Sequence, residues 1–288
     1  METPSQSRKA IAIFLLTTLV LSSIFYFLII RTGKLSSGFN LYVIGLMWSP
    51  GLSALITSRI LNRRISAIAW QWPETRYAIW SYILPMLYAL VTYLIVWLAG
   101  WGAFYNKDFF NQVTTSFGWQ HLPVAISLLL YLIFMGIFGM GYNTAAALGE
   151  EIGWRGFLVP ELFKITNYTK TSLITGICWA VWHFPILLFA DYNSGTPAWY
   201  GLSCFTVMVV SNSFALTWFR LRSNSLWPAA ILHASHNLFI QAIFTPLTKD
   251  TGHTKYFIDE FGAVLPVVSV IIAIYFWTRR NELSKIPD

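Results

Sequence analysis

Charged residues punctuate the chain and leave eight charge-free runs of at least 18 residues: 10–30, 35–58, 77–106, 109–149, 171–190, 192–219, 223–248 and 261–278. A helix needs about 20 mostly apolar residues to cross the hydrocarbon of a bilayer. Each run therefore predicts a spanning helix. The run 109–149 opens with a polar part, Phe109 to Gln120, which reads as a loop, so its span is expected to begin near Leu122. The strands of a membrane barrel would be about 10 residues long and would alternate in polarity. No such alternation is present. The expected fold class is all-α: a polytopic transmembrane helical bundle of about eight helices. The first run follows Arg8 and Lys9, exceeds the length of a signal-peptide core, and meets Arg31 without a small-residue cleavage site. It is expected to stay as an uncleaved first helix.

Composition narrows the class further. Hydrophobic residues make up 56% of the chain and charged residues 11%, against roughly a quarter charged in soluble domains. A soluble globule, a disordered chain and a disulfide scaffold are excluded. The net charge of +7 would suggest nucleic acid in a soluble protein. Here the cations sit in short loops between apolar runs, where they signal topology, and no nucleic-acid partner is expected. An eight-span topology puts Arg8, Lys9, Arg59, Arg63, Arg64, Arg76, Arg155, Lys164, Lys170, Arg220, Arg222, Arg279, Arg280 and Lys285 on one side. Only Arg31, Lys34, Lys107, Lys249 and Lys255 fall on the other. Cytosolic loops collect Lys and Arg, so both termini are expected in the cytosol. The membrane would be the plasma membrane of a bacterium or the endoplasmic reticulum of a eukaryote. Cys178 and Cys204 lie inside apolar runs and read as small core residues. No internal repeat supports an inverted-repeat transporter.

A few polar residues are out of place. Glu150 and Glu151 end the longest charge-free run, within Ala147-Leu-Gly-Glu-Glu-Ile-Gly-Trp-Arg155-Gly156. Residues four apart share a helix face, so Glu151 and Arg155 can pair. Glu150 is rotated about 100° away and points elsewhere. A structural carboxylate beside a free one is the division expected of an active site. Alone, the pair reads more commonly as an interfacial charge cluster that ends a helix. His183 lies inside the fifth run, two residues before Pro185, which is expected to kink the helix. The seventh run carries His233-Ala-Ser-His236-Asn237, with His233 and Asn237 on one face and Pro228 fitting a first-turn position. Such polar groups are costly in a membrane unless paired or facing water. His121 and His253 fall in loops and are expected to be solvated. Glu150, His183, His233 and Asn237 can converge in a pocket opening to the cytosol. A carboxylate or imidazole there would take a proton from water while the other donors hold an oxyanion.

The ordered set Glu150-Glu151-x-x-x-Arg155, aromatic-x-x-x-His183 and His233-x-x-x-Asn237, on three separate helices, resembles the type II CAAX prenyl endopeptidases, also called CAAX proteases and bacteriocin-processing enzymes. The resemblance covers about residues 122–245. It implies that Glu150 activates water with help from His183, that Glu151 and Arg155 fix the pocket, and that His233 and Asn237 stabilise the oxyanion. The second motif usually begins with Phe, and here Trp179 keeps the aromatic character. His236 is outside the family pattern and reads as packing or support. A His-Glu-x-x-His zinc helix is absent, Gly51-Leu-Ser53 and Gly201-Leu-Ser203 are too generic for a serine rhomboid, and Asp191 is a lone aspartate near a span end, which gives a paired-aspartate mechanism no candidates.

The expected activity is peptide-bond hydrolysis near the cytosolic membrane face, on a peptide or protein that is prenylated or otherwise lipidated near its C-terminus, or on another peptide. The alternative is a non-hydrolytic membrane adaptor or immunity protein of the same fold. No cofactor is preferred. Zinc is the cofactor to test, and a metalloprotease of this set would use Glu150, His183 and His233 as ligands. The expected organisation is an N-terminal unit of three helices and a loop, 1–121, a catalytic core, 122–245, and a last helix with a cytosolic tail, 246–288.

Overall fold

Hydroxyl and small residues mark much of the inner faces of the first two long helices. The computed structural model of the chain describes residues 3–33 and 41–283, with all their side chains except those of Ser66 and Ala67. Lys34 and Lys285, counted above for topology, lie outside the described residues. Helix α1 (Pro4–Thr32) is capped by Thr3 and Gln6 at its start and by left-handed Gly33 at its end. Its buried stripe is Ser7, Ala10, Phe14, Thr18, Ser22, Tyr26 and Ile29, while Leu16, Leu19 and Phe27 are exposed. Helix α2 (Leu41–Ile60) likewise buries Ser49, Gly51, Ser53, Ala54, Thr57 and Ser58 and exposes Leu52, Ile56 and Ile60. Lipid tails are as apolar as leucine, so small residues that let helices approach are favoured at the contacts.

Helix α3 (Thr75–Leu98) follows, then a short strand, Ala103–Phe104, and α4 (Lys107–Phe117). The segment expected to be a loop is therefore largely helical. Asn106 caps α4 by accepting from the amides of Asp108 and Phe109, Gly118 ends it in the left-handed region, and Phe110 and Val113 are buried. A polar stretch of this kind folds by burying one apolar stripe. Helix α5 spans Val124–Ile165 and starts close to the expected Leu122. Two π turns interrupt it, Met135–Gly139 and Ile152–Leu158. Next come α6 (Tyr168–Phe189), α7 (Ala198–Ser223), α8 (Trp227–Asn237) and α9 (Val264–Thr278). Helix α8 starts with Pro228 in its first turn and continues through a π turn, Leu238–Phe244.

Helices α1, α2, α3, α5, α6 and α7 are long and apolar enough to cross a membrane. The runs 223–248 and 261–278 also fold as helices, but α8 breaks into a π turn after 11 residues and α9 has 15. The architecture is the expected helical bundle, with six helices among the described residues meeting the length and hydropathy of a span. Helix α6 continues past Pro185 to Phe189.

One end of the bundle carries most of the arginines. Arg63 pairs with Glu161 at 3.0 Å, Arg220 Nε donates to the Arg155 carbonyl at 2.9 Å, and Trp227 Nε1 donates to the Trp70 carbonyl at 2.9 Å. The opposite end is closed by a layer of folded loops. There Ala103–Phe104 pairs antiparallel with Thr248–Lys249. Ser194 donates to Asp259 at 2.9 Å, and Lys255 donates to the Gly195 carbonyl at 2.8 Å.

Candidate active site

Helices α2 and α5 meet backbone to backbone at the glutamates. A Cβ on Gly51 would lie 2.6 Å from the Gly149 carbonyl oxygen, and one on Gly149 would lie 2.7 Å from Trp48 Cα. The absence of side chains there lets α5 press against α2 immediately before Glu150. The π turn Ile152–Leu158 begins right after Glu151, and π turns recur at functional sites because they re-aim the side chains around them. Helix α6 is tied to α1 by Trp182 Nε1 donating to Ser22 at 2.7 Å and by the Tyr26 hydroxyl donating to the Trp182 carbonyl.

Glu150, Glu151 and Arg155 are all buried, and they divide as the sequence predicts. Arg155 Nη1 donates to Glu151 Oε1 at 2.8 Å. Its other terminal nitrogen donates to Ser213 of α7 at 3.1 Å, and its guanidinium lies 4.2 Å from the centre of the Trp179 ring. Glu150 takes no part in this pair. Its Oε2 accepts from Trp179 Nε1 at 2.6 Å. Trp179 thus serves both glutamates, by a hydrogen bond to one and by stacking on the partner of the other. Phenylalanine, usual at this place in the motif, has no N–H for the first of these tasks.

The histidines are held by their Nδ1 atoms. His233 Nδ1 meets the same Glu151 oxygen at 2.9 Å, so Glu151 joins α5 to α8 as well as to Arg155. His183 Nδ1 lies 2.9 Å from the Trp179 carbonyl one turn earlier on α6. A carbonyl only accepts, so His183 Nδ1 carries the proton and Nε2 keeps its lone pair. Glu150, His183, His233 and Asn237 line one cavity of about 220 Å³. Its lining residues that reach the surface include Val43, Ile44, Met47 and Tyr142, on α2 and α5.

Sequence reasoning missed the far end of this cavity. Tyr192, Gln241 and Glu260 also line it. His236, read as packing or support, bonds through Nδ1 to the Tyr88 hydroxyl at 2.6 Å and through Nε2 to Glu260 at 3.0 Å. The Tyr192 hydroxyl donates to the second Glu260 oxygen at 2.6 Å. Glu260 sits in the loop before α9, and burial by itself would raise its carboxyl. The hydrogen bond and charge of His236, with the Tyr192 hydroxyl, outweigh burial and hold it below the ordinary carboxylate value. Burial, helped by the neighbouring Glu260 charge, pushes Asp259 up to about 6. The one sequence hint was His236 itself, a histidine beyond the motif. His121 and His253 are exposed, as expected, and Cys178 and Cys204 are free thiols.

Glu150, His183 and His233 are the trio a zinc would use. Among the described residues, no three His, Cys, Asp or Glu side chains gather closely enough to hold a metal ion.

Comparison with known proteins bears on the same segment. A curated relative, CAAX prenyl protease 2 of Methanococcus maripaludis, is 30% identical over 164 residues, which are 54% of this chain and 51% of the relative. The match thus spans about half the length of that relative. The family model described as Type II CAAX prenyl endopeptidase Rce1-like matches residues 137–239, a stretch that contains Glu150, Glu151, Arg155, Trp179, His183, His233 and Asn237. Over residues 137–239 the resemblance carried by the three motifs stands, and this part of the chain is similar to the type II CAAX prenyl endopeptidases of the Rce1-like family.

Proposed function

We propose that this chain is a membrane-embedded endopeptidase that cleaves a peptide bond with water activated by Glu150 and His183. The observation that carries this reading is the shared cavity of Glu150, His183, His233 and Asn237, with Glu151 and Arg155 neutralising each other beside it. Trp179 occupies Oε2 of Glu150, and Oε1 makes no hydrogen bond within the described residues. That oxygen takes the proton as water attacks the scissile carbonyl, with His183 Nε2 holding the water. The carbonyl oxygen gains negative charge. His233, as an imidazolium whose Nδ1–H is held by Glu151, donates from Nε2, and Asn237 donates from its amide, to stabilise it. Glu150 then passes its proton to the departing amine, which leaves a new carboxylate and a new amino terminus.

The partly exposed apolar lining residues Val43, Ile44 and Met47 of α2 support a substrate that arrives from the bilayer, such as a peptide carrying a prenyl or other lipid near its C-terminus. The arginine-rich end belongs in the cytosol by the positive-inside rule. His233 lies six residues past Trp227 at that end, which is about 9 Å. This depth supports chemistry close to the cytosolic face of a multi-pass protein.

The test uses protein purified in detergent and a matched pair of C-terminal peptides, one farnesylated on cysteine and one not. Cleavage of the farnesylated peptide, lost in Glu150→Gln, is the expected result. Binding of that peptide without cleavage by the wild type would assign a non-hydrolytic membrane adaptor instead. Orientation is read separately. In a background without Cys178 and Cys204, cysteines at Ser5 and Ser194 should label from opposite sides, with Ser5 cytosolic. Labelling of both from one side would remove the assigned topology.

A further inference from the structure

His183 has one polar tether, the bond from Nδ1 to the Trp179 carbonyl. A single bond at Nδ1 leaves the imidazole free to pivot about it, so the aim of Nε2 depends on what the ring packs against. Trp182 meets it edge-on at 4.7 Å and Phe205 lies at 4.9 Å. Tyr192 covers a face, with ring planes 26° apart and centroids 6.2 Å apart.

Tyr192 stands just beyond the end of α6, where it has no helical hydrogen bonds to fix it. Its ring packs edge-on against Phe261 at 5.1 Å, and its polar anchor is its hydroxyl, which donates to Glu260 Oε2 and accepts weakly from Gln241 at 3.4 Å. Glu260 is held in turn by His236 of α8, and His236 by Tyr88 of α3. Three other segments, α3, α8 with its π turn and the loop before α9, thus converge on this ring beside His183. None of Tyr88, Tyr192 and Glu260 belongs to the motifs, and Tyr88, Tyr192 and Glu260 all lie outside or between them. A buried carboxylate with both oxygens bonded is costly to build, and packing alone would not require one here.

We infer that Tyr192 is a positioning residue for His183, and that Glu260, set by His236 and Tyr88, holds Tyr192 in place. This rests on the reading that His183 holds the attacking water. Misplacing a reacting group by about 1 Å can cost on the order of 100-fold in rate, so a partial loosening of one neighbouring ring should cost about tenfold.

The experiment compares Tyr192→Phe, Glu260→Ala, Glu260→Gln and the Tyr192→Phe/Glu260→Ala double variant as full chains in detergent. Kinetics on the cleaved peptide are normalised to folded protein. Tyr192→Phe and Glu260→Ala should each lower kcat about tenfold with KM changed less than threefold. The double variant should lose no more than either single one, because both remove the same bond. Glu260→Gln keeps an acceptor for the Tyr192 hydroxyl and should restore most of kcat. Wild-type kcat in Tyr192→Phe, or losses that multiply in the double variant, would overturn the inference. A second readout needs no activity. The ¹⁵N spectrum of the His183 imidazole, identified by its absence in His183→Gln, should show one Nδ1–H form in the wild type and a second, exchanging form in Tyr192→Phe. An unchanged imidazole spectrum in Tyr192→Phe would overturn the positioning role even if no peptide is cleaved by any form.

Discussion

The two ends of the cavity solve the problem of buried carboxylates in different ways. At the motif end, Glu151 is matched by a full cation, Arg155, four residues on in the same helix, and this ion pair is local even though the same oxygen also meets His233 of α8. At the far end, Glu260 is matched by a histidine 24 residues earlier and a tyrosine 68 residues earlier, on other segments. The first arrangement survives as long as α5 is helical. The second exists only when α3, α6, α8 and the loop before α9 have all docked. The Glu151–Arg155 pair is therefore a property of a helix, and the Glu260 cluster a property of the assembled bundle. Between them lie Glu150, which has no cationic partner of its own, and His183, each tethered to Trp179.

The variants that separate these roles differ in size of effect. Glu150→Gln should lower cleavage by about 10²–10⁴, the range for loss of a general base, while the melting temperature holds or rises. Cleavage near the wild-type rate would remove Glu150 from its role. Arg155→Ala should act on stability first. It strands the Glu151 carboxylate, at a cost of about 3–5 kcal/mol for a fully buried pair, and a denaturant or thermal melt in detergent reads it. Normal melting would mean that the motif end is not held by its ion pair. Trp179→Phe restores the usual family residue but deletes the Nε1 hydrogen bond to Glu150. A hydrogen bond to a charged group is worth about 1.5–3 kcal/mol, so kcat should fall about tenfold or somewhat more, with little change in folding. An unchanged kcat would show that Glu150 needs no such tether.

The smallest expected effect is that of metal removal. Carefully purified protein should contain far less than one zinc per chain by elemental analysis, and slow chelation should leave most activity. Stoichiometric zinc, with activity lost on removal and restored on return, would replace the roles proposed for Glu150, His183 and His233 with those of metal ligands.

The pairing of Glu151 with Arg155 and the common face of His233 and Asn237 were legible because they follow from helix periodicity alone. So was the start of α8 at Pro228, which follows from proline's lack of an N–H. Helix α4 was missed although Asn106 and Gly118 bracket it, since the scan for apolar runs passes over a short amphipathic helix. The far end of the cavity was missed because Glu260 looks like any loop acid, and nothing local predicts that its loop folds inward.

The sequence by itself determined that this is a helical membrane protein, since uncharged runs of that length have nowhere else to go. It also determined which polar side chains are too costly to be idle. The tertiary structure decided what they touch. In a bilayer both the lipid-facing and the inward-facing side of a helix are apolar, so hydropathy does not say which side turns inward. The small and hydroxyl-bearing stripes of α1 and α2 mark that side only once their neighbours are in place. Glu151 reaches His233 across 82 residues, and Trp179 reaches Glu150 across 29. Such contacts depend on the packing of separate helices, and packing is set by shape complementarity that no local spacing encodes.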